Sequence, residues 1–156
     1  MLLITGANGQ LGQELTALCQ RRGIACRAYS RQALDICNQA RVKACFDFES
    51  FDCVINCAAY TAVDAAESDP QTAFAVNADG PRILAKSGVP VIHVSTDYVF
   101  DGKSSLPYGT DAPVNPLSVY GRSKRAGETA LLSGGFSGLI VRTAWPVSYT
   151  HLTLPT

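Results

Sequence analysis

Tyr120 and Lys124 stand four residues apart in Tyr120-Gly-Arg-Ser-Lys124. On a helix that spacing sets both side chains on one face. A phenol can donate or accept a proton at a reacting oxygen, but its ordinary pKa of about 10 suits neutral-pH acid–base work poorly. A cation held close favours the phenolate and lowers that value, so the pair reads as a tyrosine acidified by an ammonium. Lys124 also suits the ribose hydroxyls of a nicotinamide nucleotide. Such a centre needs a further hydroxyl to fix a carbonyl beside the phenol. Ser95-Thr96-Asp97 offers one, at the end of the apolar run Val91-Ile-His-Val. By itself a Tyr and a Lys at this spacing is a common pattern; the hydroxyl and the glycines upstream give it weight.

Those glycines are Gly6-Ala-Asn-Gly9-Gln-Leu-Gly12, a G-x-x-G-x-x-G run that follows an apolar strand and opens a helix. Glycine permits a tight turn with positive φ and lets backbone N–H groups approach a pyrophosphate, and the helix N-terminus adds partial positive charge. The context is the one the motif requires. At the end of the second strand, where an acid would hold a ribose 2′-hydroxyl, the sequence reads Tyr29-Ser-Arg31. An arginine pairs with a 2′-phosphate that a carboxylate would repel. Arg31 therefore leans the cofactor toward NADPH, with NADH left open.

The elements that must position these residues can be read from periodicity. Met1–Thr5, Ile24–Tyr29, Asp52–Cys57, Val89–Ser95 and Leu139–Arg142 are predicted strands. Helices are predicted over Gly9–Arg22, Gln39–Phe48 with Asn38 as N-cap, from Pro70 to about Lys86, and over Leu117–Leu132. Asp101–Pro116, rich in Gly, Pro, Asp and Ser, reads as a loop. Strands alternating with helices predict an α/β fold: a doubly wound parallel sheet with helices on both faces, of the Rossmann NAD(P)-binding type. His93 reads as a packed core histidine, Asn77 as a tether for neighbouring backbone, and Cys53 and Cys57 as core-strand fillers.

The chain has 156 residues, 13 basic and 13 acidic side chains, and 47% apolar residues. That suits one domain with a sizeable core and argues against disorder. Zero formal net charge removes the non-specific electrostatic term of nucleic-acid binding and any pull toward an anionic membrane. No apolar run approaches the roughly 20 residues of a membrane span, and Met1-Leu-Leu-Ile-Thr-Gly has no signal-peptide pattern. The six cysteines form no C-x-x-C pair, so reduced thiols in a cytoplasmic protein are expected.

These residues resemble the extended short-chain dehydrogenase/reductases, and among them the reductases of dTDP-4-dehydrorhamnose. Besides the glycine loop and Tyr120-Gly-Arg-Ser-Lys124, the matching blocks are Asn56-Cys-Ala-Ala-Tyr-Thr-Ala-Val-Asp-Ala-Ala-Glu67, Asn77-Ala-Asp-Gly-Pro81, Ser95-Thr-Asp-Tyr-Val-Phe-Asp-Gly102 and Val141-Arg-Thr-Ala-Trp145. The resemblance implies NADPH-dependent reduction of the 4-keto group of dTDP-4-dehydro-L-rhamnose to dTDP-L-rhamnose, in the synthesis of rhamnose for cell-surface polysaccharide. It implies Thr96, Tyr120 and Lys124 as the catalytic set. Gly6, Gly9, Gln10, Leu11 and Gly12 would meet the pyrophosphate, Asp35 and Ile36 the adenine, and Ala58, Ala59 and Tyr60 the dinucleotide. Thr96, Asp97 and Trp145 would touch the sugar. It further implies a homodimer, with Mg²⁺ at a dimer contact partly through a Glu matching Glu14. A non-catalytic nucleotide-binding subunit like the regulatory partner of methionine adenosyltransferase, and a sugar-nucleotide epimerase, are the alternative readings.

Two departures from the family stand out. Pro81–Pro90 is about four residues shorter, roughly one helical turn. After Trp145 the family continues into a substrate domain. Here the chain reads Pro146-Val-Ser-Tyr-Thr-His-Leu-Thr-Leu-Pro-Thr156, which resembles the translation of a transposase sequencing adapter. Residues 1–145 are therefore expected to form the nucleotide-binding domain and 146–156 a non-native tail. Without its substrate domain the chain is expected to be inactive and to expose apolar surface at its sheet edge.

Overall fold

Five short apolar segments pair as strands, and the helices between them are long enough to cross back over the sheet. The structure, a computed structural model, describes residues 1–133 and 137–144. The strands are β1 (Leu2–Thr5), β2 (Cys26–Tyr29), β3 (Cys53–Asn56), β4 (Val91–Thr96) and β5 (Gly138–Thr143). All neighbours pair in parallel, in the order β2-β1-β3-β4-β5. The chain steps outward from β1 to β2 and returns to the far side of β1 at β3. That reversal opens a crevice at the carboxyl ends of β1 and β3, where doubly wound sheets bind ligands.

Helix α1 (Gln10–Arg21) packs on β1 and β2. Helices α2 (Gln39–Phe48), α3 (Val63–Ser68), α4 (Pro70–Phe74), α5 (Gly80–Ala85) and α6 (Val119–Ser133) follow. Right-handed crossovers send α1 to one face of the sheet and the later helices to the other, and α5 and α6 accordingly pack on β4. The main core lies on this second face: Leu3, Leu34, Ile36, Val42, Phe51, Val54, Ile83, Leu84 and Val91. Along β5, Arg142 reaches the α6 side, where it meets Glu128. By strand alternation Leu139 and Val141 point to the opposite face, and they are 57% and 39% exposed. No helix among the described residues is long and apolar enough to cross a membrane.

The helix expected to run on from Pro70 is broken by a π-helical turn at Ala75–Asp79. It pushes the backbone of Asn77 toward α6. A Cβ on Gly127 would stand 2.1 Å from the Asn77 carbonyl oxygen, so only glycine lets the two helices cross this closely. Helix α3 was not expected, and a 3₁₀ turn at Asp97–Val99 follows β4 directly. Val63-Asp-Ala-Ala-Glu-Ser buries one residue, Ala66, and so shows no apolar stripe. Asn38 caps α2 through its side chain, which accepts from the Arg41 N–H. Residues 101–116 carry no helix or strand; Phe100 and Tyr108 stack there with centroids 4.2 Å apart.

The Gly127–Asn77 crossing sets the depth of α6. Gly127→Ala is expected to lower the free energy of unfolding by about 1–3 kcal/mol, as overpacked cores do. Thr129→Ala on the exposed side of the same helix should stay within about 0.5 kcal/mol. Urea midpoints of the two variants check this.

Candidate functional site

β1 ends at Thr5 and the chain turns at once through Gly6, whose φ is +68°. A Cβ there would stand 2.6 Å from the Ala58 nitrogen, so glycine is required both for the angle and for the close passage beside the segment leaving β3. Ala7 N–H donates to the Tyr29 carbonyl at 3.0 Å and Gly9 N–H to the Gly6 carbonyl at 2.9 Å. Gly9 then caps α1 without a side-chain hydrogen bond. At Gly12 a Cβ would lie 2.3 Å from the Gly6 oxygen, which lets the helix start directly over the turn. Loop and helix end together form an anion cradle of the kind that accepts a pyrophosphate.

A cleft of about 670 Å³ runs from this loop along the carboxyl ends of β1, β3 and β4. It gathers Gly6, Gly9, Gln10, Leu11 and Gly12 at one end and Thr96, Asp97, Tyr120 and Lys124 at the other. Arg31, Asp35, Ile36, Ala58, Ala59 and Tyr60 also line it. Arg31 is 71% exposed at its side chain and lies 3.7 Å from the Asp35 carboxylate. Asp35 also accepts from the Cys37 N–H at 2.9 Å. Glu14 is exposed on α1, away from the cleft lining. Among the described residues no three His, Cys, Asp or Glu side chains stand close enough to hold a metal. Trp145 lies outside the described residues.

At the far end, Thr96 stands beside Tyr120 and favours its phenolate. Thr96 also donates to Asp97 Oδ1 at 3.1 Å and accepts from the Tyr98 N–H at 3.2 Å. The Tyr98 ring packs edge-on to Tyr120, with centroids 5.5 Å apart. The expectation that Lys124 acidifies the phenol is not met in this arrangement. Tyr120 lies above its ordinary value of 10, chiefly because it is buried, with Asp97 and Tyr98 adding to the rise. The reason is where the amine goes. Lys124 Nζ donates to the Val94 carbonyl at 2.7 Å and faces His93 Nε2 at 3.5 Å. Burial brings the amine down to about 8, opposed by Glu128 and Cys57. His93 is pushed down to about 3, again by burial first and by Lys124 second, so its imidazole is neutral.

Several positioning residues are invisible to local pattern because their partners are distant in the chain. Glu67 of α3 accepts the Val119 N–H at 2.7 Å and so caps α6. The Asn77 amide accepts from Tyr60 N–H at 2.8 Å, donates to the Tyr60 carbonyl at 3.0 Å and donates to Ser123 Oγ at 2.9 Å, which is the expected tether. Glu128, fully buried, accepts from Ser95, Arg125 and Arg142. These bonds hold its carboxyl below the usual range even though burial alone would raise it. Cys57 lines the cleft and is not only a filler; burial lifts its thiol to about 11. All six cysteines are free.

With this geometry in view, three comparisons bear on the chain. A family model described as the RmlD substrate binding domain matches residues 1–151. A dTDP-4-dehydrorhamnose reductase of Streptomyces griseus is 50% identical over 148 residues, which is 92% of this chain and 49% of that protein. The crystal structure of a dTDP-4-dehydrorhamnose reductase from Clostridium acetobutylicum superposes with a TM-score of 0.88 at 41% identity, covering 92% of this chain and 53% of that one. That of Bacillus anthracis, in complex with NADP, gives 0.88 at 36% identity, with 92% and 53% covered. The chain thus spans about half the length of the curated relatives it matches.

Lys124 is 2% exposed, and an amine brought from 10.5 to about 8 costs folding free energy while it stays charged. Its folded value lies below its unfolded one, so that cost is full below pH 8 and fades as pH rises toward 10.5. Lys124→Met is therefore expected to raise the free energy of unfolding by about 1–3 kcal/mol at neutral pH, with the gain vanishing toward pH 10.5. Urea melts of both proteins across that range measure the difference.

Proposed function

Because the chain belongs to the RmlD family, we propose that it is the nucleotide-binding half, residues 1–145, of an NADPH-dependent reductase that converts dTDP-4-dehydro-L-rhamnose into dTDP-L-rhamnose. One observation carries this reading: a single cleft joins the glycine cradle to the side chains of Thr96, Tyr120 and Lys124. The cradle fits a dinucleotide because Gly6 and Gly12 leave room that any Cβ would fill. Arg31, which lines the same cleft, would pair with a 2′-phosphate. The reduced nicotinamide supplies a hydride when bound. The chain supplies the rest.

Thr96 would donate to the substrate carbonyl oxygen and fix it beside the phenol. Tyr120 would then give its proton to that oxygen as negative charge builds there. A phenol held above 10 by burial is fully protonated at neutral pH, which is the form the reducing direction uses. Lys124, charged below about 8, would bind the ribose hydroxyls of the dinucleotide. Asp97, exposed in the cleft lining, would meet sugar hydroxyls. This reading carries with it a cytoplasmic enzyme acting on a nucleotide sugar.

In the whole protein, Tyr120→Phe is expected to lower kcat for ketone reduction at least about 100-fold with NADPH affinity retained; a variant as fast as wild type would exclude Tyr120 as the acid. Arg31→Asp should move the ratio of NADPH to NADH affinities toward NADH, read by fluorescence titration. Loose exchange of NADPH between turnovers separates a reductase from an epimerase, which keeps its dinucleotide through the cycle.

A further inference from the structure

The wall behind Lys124 is a buried chain of polar groups that begins on β1. Thr5 Oγ1 donates to Asn56 Oδ1 at 2.7 Å, and the Ala58 N–H donates to the same oxygen at 3.3 Å. Two donors on one oxygen fix which way the amide faces. Asn56 Nδ2 is thereby turned toward His93, 2.9 Å from Nδ1. An amide NH₂ only donates, so Nδ1 must accept. A neutral imidazole carries one N–H, and here it is left to Nε2, the nitrogen 3.5 Å from Lys124 Nζ. Thr5, Asn56 and His93 are all 0% exposed, so no water competes for these bonds.

We propose that Thr5 and Asn56 lock His93 in its Nε2–H form, so that an N–H is aimed at Lys124 and these three residues act as positioning residues that set the amine's place and charge. This rests on the role given above to Lys124. The groups that face the amine act in opposite senses. Glu128 from its own helix and Cys57, the residue after β3, favour the ammonium, whereas burial opposes it, and a His93 N–H aimed at it from β4 would oppose it as well. The ammonium is left with Val94 O as its acceptor on this side. The chain also cannot serve as a proton conduit: Nδ1 bears no proton, and the amide behind it has no site to take one. This line of groups therefore gives Lys124 no proton route toward β1.

The test is the tautomer itself, read by long-range ¹H–¹⁵N correlation in histidine-labelled protein, with His93 assigned by its loss in His93→Gln. The expected pattern is a bare Nδ1 and a protonated Nε2, unchanged from about pH 5 to 9. A protonated Nδ1, or titration near the ordinary value, overturns the proposal. In Asn56→Asp the carboxylate would accept from Nδ1, Nε2 would become an acceptor, and the Lys124 ε-methylene titration should rise by about one pH unit or more. A rise without a change of tautomer would assign the effect to the added charge and overturn it too. Should Asn56→Asp not fold, the wild-type tautomer decides alone. NADPH titration of the same samples keeps the two readings apart: no binding would sink the reductase assignment and leave the tautomer result standing.

Discussion

Glu128 is the fastening point of the site. Its carboxylate is fully buried and receives Ser95 from β4, Arg142 from β5 and Arg125 from its own helix, at 2.6–2.9 Å. A buried carboxylate is costly unless its lone pairs are filled, and here they are filled by groups from three elements. The result is geometric more than energetic. The pairing fixes how α6 lies across β4 and β5, and Lys124, one turn earlier on the same face, is carried to the depth where it meets Val94 O and His93. Capping by Glu67 fixes the N-terminal end of α6, and the close passage over Asn77 at Gly127 sets its depth. Tyr120 is placed by all three constraints together.

Thr96 occupies the strand end toward which that helix points. It is the last residue of β4 and also caps the following 3₁₀ turn. Its hydroxyl is thereby held by backbone at the lip of the sheet, next to the Tyr120 oxygen. The cofactor end of the cleft has a different logic. There the working groups are backbone, and side chains matter mainly by being absent, at Gly6 and Gly12. The two ends meet because β1 and β3 are neighbours in the sheet while their successors diverge.

Much of this was legible in the sequence, since the signals are local. The glycine loop, the carboxyl ends of β1 and β2 and the bounds Gln39–Phe48 follow from spacing and caps. The cleft gathers every described residue that the sequence suggested for dinucleotide or substrate. What was not legible depends on long-range pairing. Nothing near Glu67 or Glu128 says that one caps a helix 52 residues on or that the other is buried under two arginines. His93 was read as packed core, and it is buried; its polar line to Thr5 crosses three strands and leaves no periodic trace. The tyrosine's acidity was misjudged because spacing on a helix shows a shared face but not where a flexible amine finds its acceptor.

The π-helical turn at Ala75–Asp79 has a meaning beyond its contact with α6. Closing each bond five residues apart instead of four fits extra chain into the same axial length. The segments on either side, Ala73 below and Ile83 and Leu84 above, keep their apolar sides inward. Asn77 lies within that turn, and its amide reaches the Tyr60 backbone. The turn thus sets one specialised anchor into a helical run whose flanking turns keep their own apolar phase.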